Sequence, residues 1–119
     1  MAGPDDRTAV TGALYAIVYA SRPNGERLAE MFYESLSRSD QAKVNNLLRV
    51  FSEAGRLKQE KFKRVESDLF AFKSFRIRIG CYRSDNCWYL LDGFEKKCDD
   101  WPEGKVTHCL NLLREHRGH

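Results

Sequence analysis

Residues 61–97, KFKRVESDLFAFKSFRIRIGCYRSDNCWYLLDGFEKK (Lys61 to Lys97), decide the fold. They contain the three best strand candidates, Leu69–Lys73, Arg76–Tyr82 and Cys87–Asp92, and nearly all of the chain's excess positive charge. The links between the strands, at Ser74 and at Ser84-Asp85-Asn86, are short. Short links imply antiparallel neighbours, because parallel pairing needs a crossover of about a dozen residues or more. Side chains alternate along a strand, so in the middle strand Ile77, Ile79 and Cys81 share one face. Arg76, Arg78, Gly80 and Tyr82 share the other. Two guanidiniums and a phenol on one side predict a sheet whose free face meets an anionic partner.

Upstream, Leu14–Ala20 (LYAIVYA) reads as a strand that is apolar on both faces and able to pair in either direction. Ser21-Arg-Pro-Asn-Gly25 ends it, and Asn24 can cap the helix that follows. In that helix Leu28, Met31, Phe32 and Leu36 recur at helical spacing. Ser39-Asp40 is expected to cap a second helix, with Val44, Leu47, Leu48 and Phe51 as its apolar stripe and Gly55 as its stop. Gly55–Arg64 reads as a basic connector. Downstream, Pro102 suits a first helical turn, and Val106, Cys109, Leu110 and Leu113 form the stripe of a last helix closed by Gly118. The predicted architecture is α+β, in the order β-α-α-β-β-β-α. It has a mostly antiparallel sheet, an N-terminal helical hairpin and a C-terminal helix, with the helices packed on one side. Residues 1–12 read as a loose, flexible leader and residues 13–119 as a single domain.

The length, 119 residues, suits one domain with a real core, and 42% apolar with 31% charged residues is the composition of an ordinary globular chain. No apolar run approaches the ~18 residues needed to span a bilayer, and the acidic, polar start does not resemble a signal peptide. The net charge of +3 is unevenly placed: residues 56–97 carry eleven Lys/Arg against six Asp/Glu, while the segments before and after are slightly acidic. Such clustering is an electrostatic footprint for a phosphate-bearing partner, with a solvated charged face as the plain alternative. None of the four cysteines, Cys81, Cys87, Cys98 and Cys109, forms a C-x-x-C pair, and reduced thiols in a cytoplasm are the expectation. A zinc site can be drawn from Cys81, Cys87, Cys98 and His108. Its spacing matches no familiar knuckle, so no metal or other cofactor is expected.

No P-loop, G-x-G-x-x-G, H-E-x-x-H or G-x-S-x-G occurs. His108, His116 and His119 read as satisfied or solvated histidines, the last two in a fraying tail. The chemistry that remains is cationic: Lys61, Lys63 and Arg64 on the connector, Lys73, Arg76, Arg78 and Arg83 around the first two strands, and Lys96 and Lys97 after the third. A guanidinium grips two phosphate oxygens at once and stays charged in a groove. A lysine among other cations can lose its proton. RNA cleavage needs a group to deprotonate the 2′-hydroxyl, cations for the phosphorane and a donor for the leaving oxygen. A Lys/Arg/Tyr cluster can supply all three, or can instead bind an acidic protein segment. Among nearby aromatics, Tyr82, Trp88, Tyr89, Phe94 and Trp101, one or two can stack bases; Tyr15, Phe70, Phe72 and Trp88 read rather as core.

The order of motifs resembles the RelE/HigB-type toxins, most closely the phage-derived Gp49-like branch. The resemblance is carried by KFKRVESDLFAFKSFRIRI, by an apolar strand ending YLLDGFEKK, and by DDWP before a closing amphipathic helix. It covers about residues 14–116 and is most specific at Leu91–Lys97 with Pro102. It implies a RelE/ParE-like fold and the toxin of a type II toxin–antitoxin system. The expected activity is that of a metal-independent mRNA interferase acting in the cytoplasm, usually on the translating ribosome, and neutralised by a helix-turn-helix antitoxin. Arg78 falls on the family's strand arginine, Lys63 on its lead-in lysine, and Lys96 and Lys97 on its paired lysines; Arg76 and Lys73 match less closely. The implied catalytic set is Lys63, Lys73, Arg76 and Arg78. Lys61, Arg64, Tyr82, Arg83, Lys96 and Lys97 are the expected RNA contacts, with Tyr82 stacking or donating a proton. The alternatives are a catalytically silent relative that binds protein or RNA, and a phage accessory DNA-binding protein.

Overall fold

The segment Trp88-Tyr-Leu-Leu91 is buried side chain by side chain, 3–5% exposed at Trp88, Tyr89 and Leu91 and 0% at Leu90. Since successive side chains point to opposite faces, this strand must be covered on both. In the computed structural model, which describes residues 5–96 and 101–118, it lies inside a six-stranded sheet. The chain runs β1 (Arg7–Thr11), β2 (Ala16–Tyr19), α1 (Leu28–Glu34), α2 (Arg38–Ala54), β3 (Phe62–Glu66), β4 (Leu69–Ser74), β5 (Ile77–Ser84), β6 (Cys87–Glu95) and α3 (Lys105–Arg117). The sheet order is β1-β2-β6-β5-β4-β3. All pairings are antiparallel except β2 with β6, which run parallel with Ala16 opposite Cys87 and Tyr19 opposite Leu90.

The α+β class and the mostly antiparallel sheet agree with the sequence reading; the element order does not. Two strands are added. Arg7–Thr11, read as part of the leader, pairs with β2, and Phe62–Glu66, read as connector, pairs with β4. Both are edge strands with mostly exposed residues, so neither carries the buried alternation that identifies a strand from sequence. The helices also lie on both sides of the sheet. Val44, Leu47, Leu48 and Phe51 of α2 pack with Ile17, Phe72, Ile79 and Leu90. Cys109, Leu112 and Leu113 of α3 pack on the opposite face with Val18, Leu69, Tyr82 and Leu91.

The helix ends move as well. Ser37, not Ser39-Asp40, caps α2: its hydroxyl accepts from the Asp40 N–H at 3.2 Å. Asn24 does accept a backbone N–H, from Glu26 at 3.0 Å, but in the turn ahead of α1. Pro102 likewise precedes α3, accepting the Lys105 N–H at 3.1 Å. Gly55 stops α2 in the left-handed region (φ 78°), where glycine carries no Cβ penalty.

Two close approaches hold the N-terminal segment. The hairpin of β1 and β2 closes on α2, where the Ser52 carbonyl accepts from Leu14 and Tyr15 N–H at 3.0 and 3.1 Å. A Cβ on Gly12 would lie 2.5 Å from the Ser52 carbonyl carbon. Just ahead of β1, Asp6 accepts from Ser21 N–H (2.6 Å) and hydroxyl (2.8 Å) and bonds His116 Nε2 at 3.0 Å, while His116 Nδ1 meets the Tyr82 hydroxyl at 2.5 Å. The Asp6 and His116 side chains are 1% and 9% exposed. The histidine expected to fray is therefore locked between Asp6, ahead of β1, and Tyr82 of β5.

Because a buried polar group stripped of its partner costs more than the bond itself is worth, His116→Ala and Asp6→Ala should each lower stability by about 2 kcal/mol. Their double variant should lose clearly less than the sum, since both remove the same contact; a denaturant-unfolding cycle measures this. Gly12→Ala should also destabilise, by roughly 2 kcal/mol, through backbone displacement.

Candidate functional site

α3 lies along β6 and β5. Trp101 ahead of it packs edge-on against Phe94 at 4.5 Å, His108 Nε2 bonds Asp92 Oδ2 at 2.8 Å, Cys109 sits over Gly80, and His116 reaches Tyr82 and Tyr89. Gly80 lets the helix approach closely: a Cβ there would lie 3.0 Å from the Cys109 sulfur, which would have to give by a few tenths of an ångström. A helix of 13 residues spans only about 20 Å. The end of the face beyond its first turn, toward the β4–β5 turn, is left partly open.

That open end is cationic. Lys73 stands opposite Arg78 across β4 and β5, and Arg78 stands opposite Phe94. Lys63 is level with Ala71, one alternation from Lys73 on the same face. The Lys96 N–H donates to the Arg76 carbonyl at 2.6 Å, and the Lys73 N–H to the Lys61 carbonyl at 2.8 Å. Lys73 is held below the ordinary lysine value, first by burial and then by the charges of Lys63, Arg78 and Lys96, with Glu60 opposing. Four cations contributed by neighbouring strands thus share one field.

Arg78 is the most constrained of them. Its Nη1 donates to the carbonyls of Phe75 (2.6 Å) and Ile77 (2.9 Å), and burial lowers its pKa from the usual guanidinium value. Its Nε is buried with no hydrogen-bond partner among the described residues. The guanidinium is anchored by its own turn and keeps capacity for an acceptor.

Lys61, Lys63, Lys73, Arg78 and Lys96 are therefore gathered around this end, with Arg76 exposed in the adjoining turn. Three expected contacts are not. Arg64 lies on the other face of β3, its guanidinium 5.5 Å from the centre of the Phe70 ring. Arg83 is five residues beyond Arg78, about 17 Å along the strand, packed over Tyr15 at 5.0 Å. Tyr82 is 3% exposed beneath α3, bonded to His116, and its hydroxyl is pushed up to about 12 chiefly by burial. It cannot stack a base or donate a proton at the open face. Alternation placed Tyr82 on the correct face, but α3 covers that half. Lys97 lies outside the described residues.

The drawn zinc set does not assemble. Cys81 is buried against α2 on one face, His108 is bonded to Asp92 on the other, and Cys98 lies outside the described residues. Among the described residues, no cluster of three or more His, Cys, Asp or Glu side chains is arranged to hold a metal. Burial pushes the Cys109 thiol up to about 12 and Cys81 well above its usual value, so both behave as core groups.

Two features were missed in the sequence. The His108–Asp92 pair stands on the cationic face at the first turn of α3, with the histidine side chain 37% exposed. Its only sequence signal is the position of His108 beside the core residue Cys109. The second is Phe75, 79% exposed in the β4–β5 turn. An aromatic set between Lys73-Ser74 and Arg76, where the turn must project it outward, was the available signal. Among the described residues no helix is long and apolar enough to cross a membrane.

No protein-family profile matches the chain, and no curated protein is significantly similar to it.

Proposed function

We propose that the chain is the toxin of a type II toxin–antitoxin system, an mRNA interferase that cuts RNA in the cytoplasm at the open cationic end of its sheet. The observation that carries this reading is the convergence of Lys63, Lys73 and Arg78 on one face of neighbouring strands, where burial first and then the charges of Lys63, Arg78 and Lys96 hold Lys73 below the ordinary lysine value. It gathers in one field the charges that a phosphorane needs and a lysine disposed to give up its proton. Lys73 takes the 2′-hydroxyl proton, and the oxygen attacks the adjacent phosphorus. Arg78 and Lys63 hold the phosphate, with Arg76 beside them, and Lys61 and Lys96 hold the flanking backbone. His108, oriented by Asp92, protonates the departing 5′-oxygen. The motif order of residues 61–97 supports the same reading and suggests the translating ribosome as the setting, with a helix-turn-helix antitoxin that covers the face.

A second reading is favoured by one detail. Arg78 already spends its Nη1 on two backbone carbonyls, which suits a module that holds RNA or an acidic protein segment without cutting. Primer extension on cellular mRNA separates the two, because only the enzyme creates new 5′ ends.

For the enzyme, Lys73→Ala and Arg78→Ala should each lower cleavage by about 100-fold or more, the loss typical of one preorganised group at a developing charge. Arg64→Ala and Arg83→Ala should change it little. Equal growth arrest by all four would remove the proposed site. The rate should rise with pH through a value below that of a free lysine, since the base is the neutral amine. Removing a neighbouring positive charge stabilises protonated Lys73, so Lys63→Gln or Lys96→Gln should move that rise to higher pH. A pH–rate profile with unchanged midpoints would assign the base elsewhere.

A further inference from the structure

β3–β4, β4–β5 and β5–β6 are joined by two-residue turns, and in each the first turn residue has positive φ: Ser67 (54°), Phe75 (56°) and Asp85 (55°). Turns of this kind favour Gly, Asn or Asp. Asp85 conforms. Phe75 is the outlier, a bulky aromatic in a left-handed backbone, 79% exposed and outside both core clusters. Such strain costs stability and the exposed ring recovers none of it by burial, the pattern of a residue kept for contact with a partner.

The ring stands at the mouth of a cleft of about 650 Å³ between α2, the segment after it and the β4–β5 turn. Val50 and Leu57 give the cleft apolar walls, and Lys58, Lys61 and Lys73 give it positive charge. Lys43, another lining residue, places its ammonium 4.5 Å from the centre of the Phe75 ring. The volume is in the range of ligand pockets. The cleft opens on the α2 side of the sheet and the cationic face on the α3 side; Lys73, which lines the cleft and stands opposite Arg78, marks where the two adjoin at the end of the sheet.

We propose that the cleft takes an unstacked base of single-stranded RNA against Phe75, with its phosphates held by the surrounding lysines. The proposal rests on the reading of the cationic face as an RNA site and specifies its substrate as single-stranded. An aromatic platform fits a base because every base has a π-face, whereas a duplex keeps its bases stacked and out of reach. A strand held on the face at Lys63 and Arg78 passes Lys73, rounds the end of the sheet at the β4–β5 turn and turns its next base into the cleft against Phe75.

The test uses the full chain with a fluorescein-labelled single-stranded RNA dodecamer, an RNA duplex of the same sequence, and a labelled glutamate-rich peptide. Phe75→Gly removes the ring and relieves the left-handed backbone, so the variant should fold with an unchanged or higher Tm. It should bind the single strand roughly 5- to 100-fold more weakly, the range of one lost base–aromatic stack. Duplex affinity should be unchanged, and Phe75→Tyr should keep wild-type binding. A dodecamer carrying 2-aminopurine should be quenched by the wild type and not by Phe75→Gly. If Phe75→Gly binds the single strand as tightly as the wild type while Arg78→Ala does not, the face is an RNA site and the cleft inference falls. If the ring matters only for the acidic peptide, the cleft docks protein and the inference is also overturned. If the wild type binds no RNA, the reading of the face fails with it.

Discussion

Everything else in the fold depends on β6 being buried on both faces. Trp88 and Leu90 demand cover on one side, Tyr89 and Leu91 on the other. No single helical layer can satisfy both, because adjacent side chains of a strand point in opposite directions. The result is a three-layer domain: α1 and α2 below, the sheet in the middle, α3 above. The parallel neighbour β2 fills the remaining side of β6 in the hydrogen-bonding plane, with Ile17 at 0% and Val18 at 5% exposure.

The same constraint shapes the candidate site. α3 has to lie over the apolar half of its face, and it is fixed there near both ends, by His108 on Asp92 and by His116 between Asp6 and Tyr82. The rest of that face must then be tolerable to water, and its residues are Lys63, Lys73, Arg78 and Lys96. One sheet surface is thus divided into a covered apolar part and an open cationic part. The helix that makes the division also brings His108 to the boundary. Mutual repulsion among the cations is a standing cost to the folded state that an anionic ligand would relieve.

The central strands could be read directly from residues 61–97. Their alternation, their short turns and the stripes of α2 and α3 follow from local rules of spacing. The edge strands β1 and β3 could not be read, because Arg7–Thr11 and Phe62–Glu66 expose most of their residues and are held by pairing with a neighbour. Within the site, Lys73 and Arg78 were identifiable as strand residues on one face. Tyr82 carried the same signature and is buried, because alternation assigns a face without saying what covers it. Arg64 was placed correctly in sequence beside Lys63, yet one residue of offset turned it to the opposite side of the sheet.

The sequence by itself determined the α+β class, the antiparallel run of β4, β5 and β6, the apolar stripes and the place where positive charge accumulates. These are properties of neighbours within a few residues, where periodicity and turn chemistry act. Only the tertiary structure decided which cations meet, which aromatic stays exposed and which histidine is locked away. Lys63, Lys73, Arg78 and Lys96 share a field because four neighbouring strands align them in register. Asp6 and His116, 110 residues apart, touch because α3 folds over the far face of the sheet. Contacts of that range depend on how layers stack, and no local pattern in the chain encodes them.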